Sequence, residues 1–199
     1  MKRHNPAISM ASGMSFVQIV VPQQSFHDEE LAYLKSYFAA AGALVLVAGT
    51  EMSPMRGMQN RMVTPDNTIA SISVTGIDAL LILGGNGSPR YLWADDTLQR
   101  KIRQAYVKGK VIGATGLSGV VLAHAGVLQG RKVAATQQVA VVNEYKRYGV
   151  PYVSDPVVVS DTVVTTTGPE QSKVFGSTVM GLIVALAKQR KKAHYTGHR

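Results

Sequence analysis

Short β-branched runs alternate along this chain with stretches whose apolar residues recur at helical spacing, and that alternation restricts the fold more than any other feature. Residues 16–22 (Phe-Val-Gln-Ile-Val-Val-Pro) form an apolar run ended by a breaker, the pattern of a buried strand. Residues 28–41 follow, with acids in the first turn, where the helix dipole favours them, and with Leu31, Leu34, Phe38 and Ala41 on one face. Strand-like runs recur at 43–48, 79–83 and 111–114, and helical patterns at 95–107, 120–125 and Val139–Arg147. Leu98, Ile102 and Tyr106 fall on one stripe of the helix at 95–107. Such an order predicts an α/β fold, a mainly parallel sheet with helices on both faces. Two runs at 156–160 and 162–166, joined tightly at Ser160-Asp161, predict a small antiparallel addition. Gly168-Pro169 then opens a last helix, with Val174, Thr178, Val179, Leu182 and Leu186 facing inward.

The 199 residues fit one domain, and 46% hydrophobic with 17% charged residues is too apolar for disorder. No apolar stretch approaches the roughly 20 residues of a membrane-crossing helix, and no apolar segment of about 7–15 residues follows Met-Lys-Arg-His at the start. A cytoplasmic protein is therefore the expectation, with no membrane partner. Residues 51–76, rich in Met, Pro, Asn and Ser, read as an excursion with minor strands or a hairpin; Met52, Met55, Met58 and Met62 read as tucked against the body in preference to the alternative, an adaptable contact surface. Of the net charge of +9, Lys2 and Arg3 supply +2 and Lys188, Arg190, Lys191, Lys192 and Arg199 supply +5, leaving +2 for the body. The basic end from 188 to 199 reads as solvated and frayed, and nucleic acid is not an expected partner.

There is no cysteine, which excludes disulfides, thiolate metal sites and a cysteine nucleophile. His4, His27, His124, His194 and His198 show no metal-ligand spacing, so no metal is expected, and His124 reads as a packed, hydrogen-bonded core residue. Gly84-Gly85-Asn86-Gly87 is neither a dinucleotide fingerprint nor a phosphate loop, so no cofactor is expected. Gly116-Leu117-Ser118-Gly119 misses the G-x-S-x-G elbow by one position, and Ser118 reads as a first-turn helix residue. In an open α/β sheet ligands collect beyond the carboxyl ends of the strands, which directs attention to the loops 23–30, 84–89 and 115–119.

Several ordered strings carry a family resemblance over about residues 16–187. They are Phe26-His27-Asp28-Glu29-Glu30-Leu31, Asp78-Ala79-Leu80-Leu81-Ile82-Leu83-Gly84-Gly85-Asn86, Gly109-Lys110-Val111-Ile112-Gly113-Ala114, Ala125-Gly126-Val127-Leu128-Gln129-Gly130-Arg131-Lys132 and Thr167-Gly168-Pro169. In order and spacing they resemble the ThiJ/PfpI superfamily, itself similar in fold to class I glutamine amidotransferases. The resemblance implies a flavodoxin-like three-layer sandwich over 16–187, between an N-terminal extension (1–15) and a basic tail (188–199), and a homodimer. It also implies a cysteine on a tight turn after the fourth main strand, a carboxylate beside it and backbone N–H groups for an oxyanion.

Carried over residue by residue, Glu30 matches the carboxylate, Gly116 the nucleophile position, and the amides of Gly85 and Leu117 the oxyanion donors. The backbone N–H groups of Asn86 and Ser118, together with His27 and Arg90, complete the expected binding set. Glycine at 116 removes thiol catalysis. The histidine that follows the cysteine in protease-like members is Leu117 here, a second histidine position corresponds to Thr136, and a glutamate after the Gly-Gly loop is replaced near Arg90. Two expectations result. The chain is a non-catalytic member, a dimeric small-molecule-binding or stress-related protein with a small carbonyl or carboxylate ligand. Alternatively it is a cysteine-dependent hydrolase of peptidase, glyoxalase or deglycase type whose nucleophile has been replaced, with Glu30 the retained acid/base. Burial without an opposing charge is expected to raise the Glu30 pKa.

Overall fold

The computed structural model describes residues 13–196. Most of the expected N-terminal extension, with Lys2, Arg3 and His4, lies outside that range, as do His198 and Arg199. The core is a seven-stranded sheet in the order β11-β12-β8-β7-β1-β3-β6. In chain order these strands are β1 (Phe16–Val20), β3 (Leu44–Gly49), β6 (Asn67–Thr68), β7 (Ala79–Ile82), β8 (Val111–Thr115), β11 (Val157–Ser160) and β12 (Val163–Thr166). Every pairing is parallel except β11 with β12. The sheet is covered by α1 (Asp28–Ala40), α3 (Asp96–Val107), α4 (Gly119–His124), α5 (Val139–Arg147) and α6 (Ser172–Thr196), with α2 (Ser88–Tyr91) a single turn after the Gly-Gly loop. This is the expected flavodoxin-like sandwich with its antiparallel edge.

Alternation along each strand sends side chains into two cores. Val17 and Ile19 join Leu34 and Phe38 of α1 and Phe175 and Val179 of α6 on one face. Val20, Leu80, Ile82 and Ile112 pack on the other with Leu98 and Ile102 of α3 and Val121 of α4. Gln18, 1% exposed in the middle of β1, is an exception to strand hydrophobicity that is satisfied in place. Its amide exchanges hydrogen bonds with that of Asn67 (3.1 and 3.0 Å), so neither of its own polar atoms is stranded.

Four expectations need correction. Val174 is exposed and Phe175 takes the core position beside it, whereas Val179 is buried with Ile183, and Leu182 and Leu186 pack half-buried against the same core as expected. Tyr106 stands at the exposed border of α3, where its hydroxyl accepts from Arg131 Nη2 at 2.7 Å while Ala105 fills the core position. Of the four methionines in the excursion only Met55 is buried; Met52, Met58 and Met62 are 40–57% exposed. Finally, α6 runs unbroken past residue 187 to Thr196, and Arg190 bonds Asp78 at 3.2 Å, so the segment 188–196 is helix and not a frayed end.

The excursion does contain minor strands. β4 (Met55–Gly57) and β5 (Met62–Val63) form a hairpin that joins β2 (Gln24–Phe26) in a second sheet, and two 3-10 turns (Ile69–Ser71, Val74–Gly76) lead into β7. A further two-stranded ladder pairs β9 (Val133–Ala134) with β10 (Tyr152–Val153).

Candidate functional site

Three loops meet beyond the carboxyl ends of β1, β7 and β8, and close backbone approaches fix their positions. At Gly85 φ is +138°, and a Cβ there would run into the backbone of Ser25 and Phe26. A side chain is excluded on both counts, so the Gly-Gly loop rests directly on the β2 segment. His27 N–H donates to the Gly84 carbonyl (3.3 Å), tying the start of α1 to the same loop.

β8 ends at Thr115, and the chain turns through the 3-10 segment Gly116–Ser118 into α4. Gly116 has φ +51°, the left-handed bend expected of a nucleophile elbow. A Cβ added there would make only ordinary van der Waals contacts, 3.7 Å from Gly168 Cα and from Thr167 O, so the space before the bend is not blocked.

Glu30 lies in the first turn of α1 and is only 2% exposed. A relay fixes it: the Gly84 N–H donates to Thr115 Oγ1 (2.8 Å), and the Thr115 hydroxyl donates to Glu30 Oε2 (3.1 Å). Its other oxygen, Oε1, is buried without a partner. Desolvation raises the Glu30 pKa from 4.5 to about 7; the Thr115 hydrogen bond and the nearby Gly84 N–H dipole oppose the rise, and the Glu170 charge adds to it.

Gly85, Asn86, Gly116, Leu117 and Thr136 line a pocket of about 200 Å³ at the elbow. The amides of Gly85 and Leu117 donate to no other backbone group among the described residues, which suits them to a ligand oxygen. Beside it is an open groove of about 700 Å³ with Glu29, Glu30, Tyr33, Met58 and Lys173 among its walls; His27 and Glu170 border both spaces.

Two expected binding residues are placed elsewhere. Arg90 is exposed on α2 with its guanidinium 5.4 Å over the Tyr91 ring. Ser118 is fully buried; its hydroxyl bonds Ser88 Oγ (2.9 Å) and donates to the Leu83 carbonyl (2.8 Å), bracing the elbow from below. His124 packs as expected: Nδ1 lies 2.9 Å from the Trp93 carbonyl and Nε2 2.7 Å from Glu144 Oε2. The Trp93 indole N–H in turn donates to the Leu117 carbonyl (2.8 Å), so this cluster supports the elbow. Among the described residues no three His, Asp or Glu side chains gather as metal ligands, and no helix is long and apolar enough to cross a membrane.

Sequence reasoning passed over Glu170, Thr115 and Asp28. Glu170 comes to the elbow from the turn before α6, where its Oε1 accepts from the Thr167 hydroxyl (3.1 Å). The available signal was an acid directly after Gly168-Pro169. Asp28 accepts from the amides of Gln59 (2.8 Å) and Arg61 (3.1 Å) and so holds the β4–β5 hairpin at the groove.

Residues 17–182 match the family model described as the DJ-1/PfpI family. An uncharacterized protein of Methanocaldococcus jannaschii is 34% identical over 167 residues, 84% of this chain and 82% of that protein. Protein/nucleic acid deglycase 2 of Escherichia coli is 29% identical over 171 residues, 83% of this chain and 96% of that enzyme. The crystal structure of a ThiJ/PfpI domain protein from Brachyspira murdochii matches with a TM-score of 0.81 at 27% identity, over 86% of this chain and 98% of that one. With the family match spanning the sheet, both helical layers and the elbow, this cysteine-free chain belongs to the DJ-1/PfpI family.

Proposed function

We propose that this protein binds a small carbonyl compound non-covalently at the Gly116 elbow and performs no thiol chemistry. The observation that carries the reading is the buried Glu30, one oxygen unpartnered, beside a bend that bears no side chain. A ligand oxygen would accept from the Gly85 and Leu117 amides, and protonated Glu30 would donate a further hydrogen bond. Of the two ligand classes expected, the electrostatics favour a neutral carbonyl over a carboxylate. Glu170 borders the pocket, Glu30 stands behind it, and no Lys or Arg lines it. Family resemblance supports a homodimer acting in the cytoplasm.

Titration of the labelled protein with small aldehydes and ketones, followed by amide NMR, tests this reading. Saturable shifts at Gly85, Gly116 and Leu117 are expected, with weaker response to matched carboxylates. Absence of any shift at these amides, or tighter binding of the carboxylates, overturns it. The deglycase named among the relatives keeps a second reading open, a hydrolase or glyoxalase whose nucleophile has been replaced. That reading requires Gly116→Cys, whose Cβ meets no clash but sits at a strained left-handed φ, to yield a reactive low-pKa thiol. An unreactive thiol, or one of ordinary pKa, ends it.

A further inference from the structure

The elbow has room for more than a carbonyl oxygen. Where a nucleophile's side chain would begin, the nearest atoms are 3.7 Å away, and one of them, Thr167 O, is a hydrogen-bond acceptor. Thr115, which grips the Glu30 carboxyl, is the residue immediately before Gly116, so that carboxyl stands next to the bend with Oε1 uncommitted. A water needs two or more polar partners to be held in a buried polar site, and these groups supply them.

We propose that the elbow is a water-addition site, at which Glu30 moves a proton to and from a water held before Gly116 and so interconverts a small aldehyde with its gem-diol. The proposal rests on the carbonyl-binding reading and adds a reaction to it. In the forward direction the water oxygen forms a bond to the carbonyl carbon, and the C=O π pair moves onto the carbonyl oxygen, facing the Gly85 and Leu117 amides. The proton released by the water passes to the Glu30 carboxylate and from there to the new alkoxide. The product is the hydrate, one aldehyde plus one water, with nothing oxidised or reduced and no covalent bond to the protein. In reverse, either hydroxyl leaves, so the aldehyde oxygen exchanges with solvent. Because Glu30 titrates at about 7, both its forms are present near neutrality, as a group that must accept and return one proton requires.

The test is ¹⁸O exchange from labelled water into acetaldehyde at neutral pH, followed by mass spectrometry with the full chain, alongside NMR titration of acetaldehyde binding. The intact protein should accelerate exchange over buffer, Glu30→Gln should lose at least 10-fold of that acceleration while still binding acetaldehyde, and exposed Arg147→Ala should keep it. Glu30→Gln retains every lysine, so it also separates the elbow from exchange through surface imines. Acceleration that survives Glu30→Gln, or binding without acceleration, overturns the water-addition site and leaves the binding reading standing. Neither binding nor acceleration overturns both.

Discussion

Replacing Glu30 by Gln should make the protein more stable, and increasingly so as pH rises. Glu30 carries a pKa of about 7 in the folded protein against an ordinary 4.5, because burial penalises its charged form. Between those values the folded state holds a proton that the unfolded chain has released, so rising pH favours unfolding. The loss starts near pH 4.5, is complete above about pH 7, and amounts to about 3 kcal/mol. Glutamine is nearly isosteric with the neutral acid, keeps an acceptor for the Thr115 hydroxyl, and cannot ionise. The stability difference between variant and wild type should therefore grow from near zero at pH 4.5 to about 3 kcal/mol at pH 8.5, or roughly 8 °C in melting temperature for a chain of this size. Urea unfolding of both proteins at pH 4.5, 6.5 and 8.5 measures it, and subtraction removes every other titrating group. A difference that stays flat across that range would refute the burial of an ionisable Glu30 and the site built on it.

Tyr145→Phe should be neutral or stabilising by up to about 1 kcal/mol, since the buried hydroxyl has no partner and its ionisation is pushed far up by desolvation; a clear loss in denaturant midpoint would show that the hydroxyl is satisfied. Gly85→Ala should cost several kcal/mol, because it combines a left-handed backbone with collision against Ser25 and Phe26, and an unchanged melting temperature would contradict the loop packing. Asp28→Ala should cost about 1–3 kcal/mol and speed hydrogen exchange at the Gln59 and Arg61 amides before any amide of β1, whereas uniform acceleration would mean that Asp28 does not hold the hairpin.

The order of strands and helices was legible because short unbroken apolar runs, the mark of strands buried on both faces, give way at each boundary to apolar residues at helical spacing, as over Val139–Arg147. The inward face of α6 was not, because Val174, Phe175, Thr178, Val179, Met180, Leu182 and Ile183 place apolar or small residues around most of that helix. Packing on α1, β8 and β12 is what selects Phe175, Val179 and Ile183. β9 and β10 are two residues each, too short to hold any period. At the site, Glu30 and Gly116 were legible through resemblance to a family pattern. Glu170 was not, since what brings it to the elbow is the return of the chain from β12, a matter of tertiary path. Arg90 and Ser118 misled for the opposite reason: one follows the Gly-Gly loop and the other the bend in sequence, yet Arg90 is exposed to solvent and Ser118 lies beneath the floor.

The balance of costs at the elbow separates scaffold from function. Glycine accepts φ +51° freely, whereas any other residue there would pay about 1–2 kcal/mol, so the bend without a side chain is unstrained. Its shape comes from the Gly84–Thr115–Glu30 relay and from Ser118 below. Within that relay a glutamine at 30 would accept the same Thr115 hydrogen bond and spare about 3 kcal/mol above neutrality. The one thing glutamate adds is an oxygen that can take up and release a proton, and that oxygen, Oε1, is the one the fold leaves unbonded. The proposed ligand role supplies a reason for a buried group that weakens the fold relative to its neutral isostere and whose distinguishing atom serves no structural contact.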